Sequence, residues 1–146
     1  MIKKNNNPSF RKILVPLDGS QYSEKALQHA CKIVNAFDSE LFLLYVVEKS
    51  FPINLLDRKE YLQILRKFGN KTLEKANNIA LKQGISAKTI LKEGNIVSEI
   101  DNLVKKEKYD LIVVGNKGLG SVTRFLLGSV SNKLAQSSRC SLLIVK

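Results

Sequence analysis

The sequence predicts an α/β fold: a single-domain, open parallel sheet of five strands with helices on both faces. Five short apolar runs alternate with longer stretches of helical periodicity, a pattern typical of strand–helix–strand units. Several of these runs contain almost no polar residue, as expected for strands that are covered on both faces. The 146 residues include no linker, repeat or low-complexity segment. We therefore expect one domain over residues 11–146, preceded by a flexible basic arm over residues 1–10.

The chain begins its regular structure with a strand, a helix and a second strand. Lys12–Leu17 is a short apolar run that ends at a turn, which predicts a buried strand. Ser20 is placed to cap the helix that follows, and apolar residues recur on one helical face to about residue 35. Residues 40–47 are nearly all apolar and predict the second strand.

The remainder of the chain predicts three more helices and three more strands. Asp57 and Glu60 resemble a capping box at the start of a long helix, and Gly84 stands where a helix C-terminal glycine is common. The elements that follow are a weaker strand at residues 86–91, a turn at Gly94-Asn95, a helix over residues 97–106, a strand at residues 110–114, a helix over residues 129–136 and a strand at Ser141–Val145.

Composition limits where the protein works and what it binds. No apolar run is long enough to cross a membrane, and no apolar signal segment follows the basic N-terminus. Cys31 and Cys140 have no metal-ligand spacing, which predicts packed, reduced thiols and a cytoplasmic location. The net charge is +11, and no carboxylate side chain follows Asp110. This charge favours an acidic partner: a phosphorylated ligand, a nucleic acid or a membrane surface.

Two loops follow strands at the edge where open α/β sheets bind ligands: Asp18-Gly19-Ser20, and the glycine-rich stretch after the fourth predicted strand. The stretch is neither a dinucleotide fingerprint nor a Walker A loop. Its glycines allow close backbone approach to an anion, and the segment from Gly128 to Ser131 opens a helix whose N-terminus favours phosphate. From the residues alone, a phosphate site and a simple turn with a capped helix both remain open.

The glycine-rich stretch also carries a family resemblance. Gly115, Gly118, Gly128 and Ser129 fit the spacing G-x2-G-x9-G-S. This spacing is similar to the ATP-binding signature of the universal stress protein family. KILVPLDGSQYSEKAL resembles the first strand and helix of that family, and DLIVVG resembles its fourth strand. The similarity covers about residues 11–146.

The resemblance implies a Rossmann-like sheet with strand order 3-2-1-4-5 and an adenine nucleotide at its switch point. The implied ligand is ATP, or AMP or ADP, together with Mg²⁺ near Asp18. The residues implied to bind it are Pro16, Asp18, Val46, Gly115, Asn116, Lys117, Gly118, Gly128, Ser129, Val130 and Ser131. Three positions depart from the family pattern: Tyr45 for a frequent histidine, Asn95 for an aspartate and Ser141 for a proline.

The implied function is that of a nucleotide-dependent regulator in the stress response. The resemblance further implies a homodimer paired through the last strand, and we expect an unidentified protein partner. No Ser-His-Asp or Cys-His arrangement is evident, so no catalytic residue is predicted; at most, slow hydrolysis or self-phosphorylation is open. The alternatives are a basic nucleic-acid-binding module and a family member that no longer binds nucleotide. The net charge supports the first, but the aromatic residues of this sequence do not interleave with its basic residues in a stacking pattern.

Overall fold

The structure, a computed structural model, describes residues 10–49, 57–119 and 127–146. Five parallel strands form one sheet in the order β3-β2-β1-β4-β5. The predicted fold class and strand order are therefore confirmed. The elements are β1 (Lys12–Leu17), α1 (Gln21–Phe37), β2 (Glu40–Glu48), α2 (Arg58–Lys82), β3 (Lys88–Gly94), α3 (Ile96–Glu107), β4 (Leu111–Gly115), α4 (Ser129–Ser137) and β5 (Ser141–Val145).

Alternating side chains of the central strands divide the core into two layers. Ile13 and Val15 of β1 are fully buried and pack with α1 and α2. Leu14 of β1 and Leu44 of β2 are also fully buried, but they pack with α3 and α4 on the opposite face. This arrangement explains the uninterrupted apolar runs, because both faces of the strands are covered. Among the residues that the structure describes, no helix is long and apolar enough to span a membrane.

The structure confirms two of the predicted helix-end residues and contradicts a third. Ser20 caps α1 by accepting a hydrogen bond from the Ser23 backbone N–H at 3.1 Å. Gly84 follows the end of α2 with a φ of +76°, the left-handed conformation that glycine adopts easily. The predicted capping box at Asp57 was wrong: its backbone is helical and its side chain makes no cap hydrogen bond.

The third strand was also misplaced by the sequence. It was predicted at residues 86–91, but β3 runs from Lys88 to Gly94 and pairs with β2 as far as Glu48↔Gly94. As an edge strand, β3 can contain the charged residues Lys92 and Glu93. Because of these residues, the end of the strand shows no apolar run in the sequence. The predicted turn at Gly94-Asn95 lies where β3 meets α3, and Asn95 caps that helix through the Ser98 N–H.

The two thiols lie in packed positions, as predicted. Cys31 is fully buried in the layer that contains α1, and Cys140 is half-buried with its Sγ 3.2 Å from the Tyr109 carbonyl oxygen. Burial raises the pKa of both thiols, that of Cys140 to about 11. The predicted arm, apart from Phe10, lies outside the described residues.

Candidate functional site

A crevice opens in the sheet between β1 and β4. These strands pair only at Ile13↔Leu111 and Leu14↔Ile112, whereas β1 remains paired with β2 as far as Leu17↔Tyr45. Strand order reverses here, since the chain passes outward from β1 through β2 to β3 on one side and places β4 and β5 on the other. The carboxyl ends of strands at such a switch point are the usual ligand site of open α/β sheets.

The crevice leads into a cavity of about 590 Å³, within the range of small-molecule sites. All of the predicted site residues except Asn116 line it: Pro16, Asp18, Val46, Gly115, Lys117, Gly118, Gly128, Ser129, Val130 and Ser131. The Asn116 backbone N–H instead donates to the Val145 carbonyl oxygen at 2.9 Å. Its side-chain Oδ1 is buried and has no hydrogen-bond partner among the described residues.

The carboxylate of Asp18 joins the two loops that border the crevice. Its Oδ1 accepts the Ser20 backbone N–H at 2.9 Å, which braces the turn after β1. Its Oδ2 accepts the Leu119 backbone N–H at 3.1 Å, which holds the glycine stretch after β4. Each oxygen keeps lone-pair capacity, because a carboxylate can accept about four hydrogen bonds or metal contacts. Asp18 therefore combines a structural role with a free ligand-binding capacity.

The glycines of the stretch are required for different reasons. A Cβ on Gly115 would lie 2.8 Å from the backbone C and O of Tyr22, so this glycine allows β4 to pack closely against α1. A Cβ on Gly118 would lie 2.6 Å from Asp18 Oδ2, so this glycine leaves room for the carboxylate. A Cβ on Gly128 would meet the Lys117 Cα at 3.1 Å, where the two halves of the stretch touch.

The N-terminus of α4 faces the same cavity. Gly128 is its N-cap and Ser129 its first helical residue, so the amides of the first turn have no partner within the helix. The Gly128 N–H itself donates to the Asn116 carbonyl oxygen at 2.6 Å, which closes the glycine stretch onto the helix start. The buried Ser131 hydroxyl donates to the Gly115 carbonyl oxygen at 2.6 Å. Ser131 therefore has its backbone N–H, rather than its hydroxyl proton, available for an anion.

Sequence reasoning missed part of the cavity wall. Ile96 and Val97 at the start of α3 form an apolar wall beside Val46, and Lys133 of α4 adds a second cation to the cavity lining. Glu48 also lines the cavity, and its Oε2 accepts the Ile96 backbone N–H at 3.3 Å. Glu48 could have been predicted as a lining residue, because it ends β2 and ligand sites of open α/β sheets lie at the carboxyl ends of strands. Nothing in the local sequence marked the helix residues.

The α2 side of the cavity is aromatic. Tyr45 of β2 is only 8% exposed and packs edge-to-face against Phe68, with ring centroids 6.0 Å apart, so it belongs to the core. It also lines the cavity together with Tyr61. Burial, then the Asp18 carboxylate and then Tyr61 raise the pKa of the Tyr45 phenol. The phenol is therefore neutral at physiological pH and presents a polar group without charge.

The described residues hold no group of three or more His, Cys, Asp or Glu side chains that could bind a metal without help from a ligand. Asp18 alone among the predicted residues offers a carboxylate to a cation. Mg²⁺ commonly uses one or two carboxylates and completes its coordination with substrate phosphates and water. The donor set thus fits Mg²⁺ only when it arrives with a phosphorylated ligand.

Fold and cavity together define an α/β protein in which a helix N-terminus faces a cavity at the switch point of a parallel sheet. The sequence profile of the universal stress protein family matches residues 9–146. This chain belongs to the universal stress protein family. A universal stress protein of Methanocaldococcus jannaschii is 34% identical over 148 residues, covering 99% of this chain and 87% of the relative.

Solved structures show the same architecture. A universal stress protein from Lactobacillus plantarum superposes with a TM-score of 0.87 at 23% identity, covering 94% of this chain and 99% of that one, which supports the fold. A universal stress protein solved in complex with cAMP has a TM-score of 0.73 at 28% identity, covering 94% of this chain and 98% of that one. An adenine nucleotide is therefore a ligand of one structural neighbour.

Proposed function

We propose that this protein binds an adenine nucleotide, ATP or its di- and monophosphates, in the crevice between β1 and β4. The observation that carries the proposal is the convergence of a glycine-lined loop and the free N-terminus of α4 on one cavity of about 590 Å³, opposite the Asp18 carboxylate. Helix N-termini attract phosphate because their amides lack partners and the helix dipole is positive there. The neighbour bound to cAMP supports an adenine nucleotide as the phosphate carrier.

The phosphate end of the site lies along β4 and α4. Gly115, Asn116, Lys117 and Gly118 would follow the ribose and phosphates with their backbone, although the Asn116 N–H is engaged elsewhere. The segment from Gly128 through Ser129 and Val130 to Ser131 would hold the phosphates with its amides. Lys117 and Lys133 both line the cavity and would balance the negative charge of the phosphates.

The base end lies along β1 and β2. Pro16 follows the last β1–β4 pair, has no N–H to donate and offers an apolar surface. The apolar lining at this end is completed by Val46, Ile96 and Val97. This surface would accommodate the adenine ring, whose edge would contact the backbone of Val46. Asp18 would meet the ribose or hold Mg²⁺ against the phosphates. Mg²⁺ would supply charge neutralisation there, while the carboxylate orients it.

The proposed role is a nucleotide-dependent regulator of the stress response in the cytoplasm, with at most slow hydrolysis. Phosphoryl transfer needs a group that orients the attacking water or hydroxyl. Asp18 is the predicted carboxylate in the cavity, and we assign its free lone pairs to the ribose or Mg²⁺ rather than to an attacking water. We also propose a homodimer paired through β5, because this edge strand exposes part of its apolar Leu142, Leu143 and Ile144.

The identity of the copurifying ligand tests this function. Protein purified at low salt is heated, and the released small molecules are separated and identified by mass spectrometry. We expect ATP, ADP or AMP in near-stoichiometric amount. The basic nucleic-acid-binding alternative predicts two other results: the supernatant contains no nucleotide, and the protein binds nonspecific DNA with an affinity that falls steeply as salt rises.

A further inference from the structure

A second, smaller cavity lies between α1 and α2. Its volume is about 240 Å³, and its lining comes from the start of α1 and the middle of α2. Small-molecule sites usually measure about 300–1,000 Å³, so this cavity suits one anchoring side chain rather than a whole cofactor. We call it the α1–α2 groove; the residues that line it are Leu17, Gly19, Ser23, Glu24, Phe68, Lys71, Thr72, Lys75, Ala76 and Ile79.

The floor of the groove is apolar and well packed. Leu17 is 6% exposed and Ala76 is 4% exposed, so both belong to the core beneath the groove. Phe68 stands at its edge with 42% of its surface exposed, a large value for a phenylalanine. Its ring lies over Gly19, where a Cβ would approach the ring at 2.7 Å. An apolar group entering the groove would therefore gain contact with an exposed ring and a buried aliphatic floor.

The rim of the groove is cationic. Lys75 pairs with Glu24 at 2.8 Å, which neutralises both. Lys71 lines the groove, and Lys67 is exposed one helical turn before it on α2, outside the lining; neither joins an ion pair among the described residues. Like charges at this spacing destabilise an isolated helix, so the row has an energetic cost. Ile64, which is 65% exposed, stands one turn before Phe68 on the same face of α2.

We propose that the α1–α2 groove docks an acidic segment of a partner protein, whose single apolar side chain fills the cavity while its carboxylates pair with Lys71 and Lys67. Charge complementarity favours an acidic occupant, and the cavity volume favours one anchor. A nucleic acid fits less well, because single strands bind on a series of stacking rings, and among the described residues that line the groove Phe68 is the one aromatic side chain.

The groove is distinct from the nucleotide cavity but borders it. Leu17 and Ser23 line both cavities, and Gly19 follows directly after Asp18. A docked segment would thus contact the turn whose carboxylate faces the nucleotide. Docking itself does not depend on the proposed nucleotide function, so the test below uses protein without added nucleotide.

The test is a titration of the full chain, labelled with ¹⁵N, by a defined probe peptide, acetyl-Asp-Glu-Phe-Glu-Asp-amide. We expect saturable shifts of the Gly19, Phe68 and Thr72 amides. Two control peptides separate the contributions: one with alanine in place of phenylalanine and one with asparagine and glutamine in place of the acids. Each control should bind at least about tenfold more weakly, because each lacks one of the two contacts.

A pair of variants provides the second arm. Lys71→Glu should weaken the probe about tenfold or more, whereas Lys59→Glu, the same change about 18 Å away along α2, should leave its affinity within about twofold. Unshifted groove amides at millimolar probe overturn the proposal, as do equal effects of the two variants. Duplex DNA and phosphatidylglycerol vesicles are tested in the same way. If either shifts these amides in a manner that Lys71→Glu abolishes, while the peptide shifts none, the groove binds a different partner and the proposal is overturned.

Discussion

The carboxylate Oδ2 of Asp18 accepts a hydrogen bond from the backbone N–H of Leu119, 101 residues later in the chain, at 3.1 Å. This bond joins the loop after β1 to the loop after β4, across the point where the two strands cease to pair. The same carboxylate braces its own turn through the Ser20 N–H. The two sides of the crevice are thus held by one side chain before any ligand enters.

Removing the Asp18 carboxylate should loosen both loops. Asp18→Ala leaves the Ser20 and Leu119 amides without their partner, and we expect the free energy of unfolding to fall by about 1–2 kcal/mol. Affinity for MgATP should fall as well. Urea unfolding, followed by calorimetric titration with MgATP, measures the two effects. Asp57→Ala is the matched control, because Asp57 is exposed and makes no cap hydrogen bond; an equal loss in that variant would contradict the assigned role.

Gly115 should behave as a packing residue. In Gly115→Ala the new methyl group would press on the Tyr22 backbone at 2.8 Å, and backbone yields less readily than a side-chain tip. We expect a loss of about 1–3 kcal/mol in the free energy of unfolding, from overpacking between β4 and α1. Chemical denaturation measures it. A variant as stable as the wild type would show that α1 can move away from β4 at little cost.

Gly69 in the middle of α2 makes room for Tyr45. A Cβ there would lie 2.5 Å from the Tyr45 Cδ1, so Gly69→Ala should destabilise the protein although alanine is favoured in helices by about 1 kcal/mol. In a Tyr45→Ala background the same change should become neutral or stabilising by up to about 1 kcal/mol, because the remaining neighbour, Leu91 Cδ1 at 3.0 Å, is a side-chain tip that can move into the space that Tyr45 leaves. A double-mutant cycle of unfolding free energies tests this reversal of sign. Additive effects would refute the coupling.

The ion pair between Arg66 and Glu93 should make stability depend on pH in the acid range. Hydrogen bonding to Arg66 lowers the pKa of Glu93 below its ordinary value in the folded state. The stabilisation is therefore present above the pKa of the unfolded chain, about 4–5, and is lost as pH falls through the lower folded value. The unfolding free energies of wild type and Glu93→Gln should differ most above about pH 5 and converge as pH falls through the lowered folded pKa of Glu93. A constant difference over this range would contradict the prediction, and high salt should reduce it.

The sequence predicted the fold well because its strongest signals are local and repeated. The apolar runs of β1, β2, β4 and β5 and the cap at Ser20 follow directly from residue type. β3 was misplaced because an edge strand with Lys92 and Glu93 shows no apolar run. The Asp57 cap failed because the signal depends on a backbone angle that the sequence does not determine.

The candidate site was predictable where it lies on consecutive residues at strand ends. The glycine stretch and Asp18 were found this way, and all but Asn116 of the predicted set line one cavity. Glu48, Ile96 and Lys133 were missed because they reach the cavity only through the packing of α3 and α4 on the sheet. The link between Asp18 and Leu119 is likewise a tertiary contact, and no local pattern encodes it.

Gly118 offers the most direct test of nucleotide binding in the crevice. The Asp18 carboxylate takes the space beside the Gly118 Cα, and this side-chain tip can turn aside at the cost of its two hydrogen bonds, so Gly118→Val should fold with reduced stability while losing the shape of the loop. Gly84→Ala is a suitable control: Gly84 has a positive φ, so the change destabilises the protein, but it does not line the cavity.

The decisive measurement is the shift in melting temperature that saturating MgATP produces in wild type, Gly118→Val and Gly84→Ala. Ligand at about 100–1,000 times its Kd stabilises a folded protein by about 3–4 kcal/mol, or roughly 10 °C for a chain of this size. We predict this rise for wild type and Gly84→Ala and its absence for Gly118→Val. A full rise in Gly118→Val, or none in the wild type, would contradict a nucleotide site built on the glycine stretch.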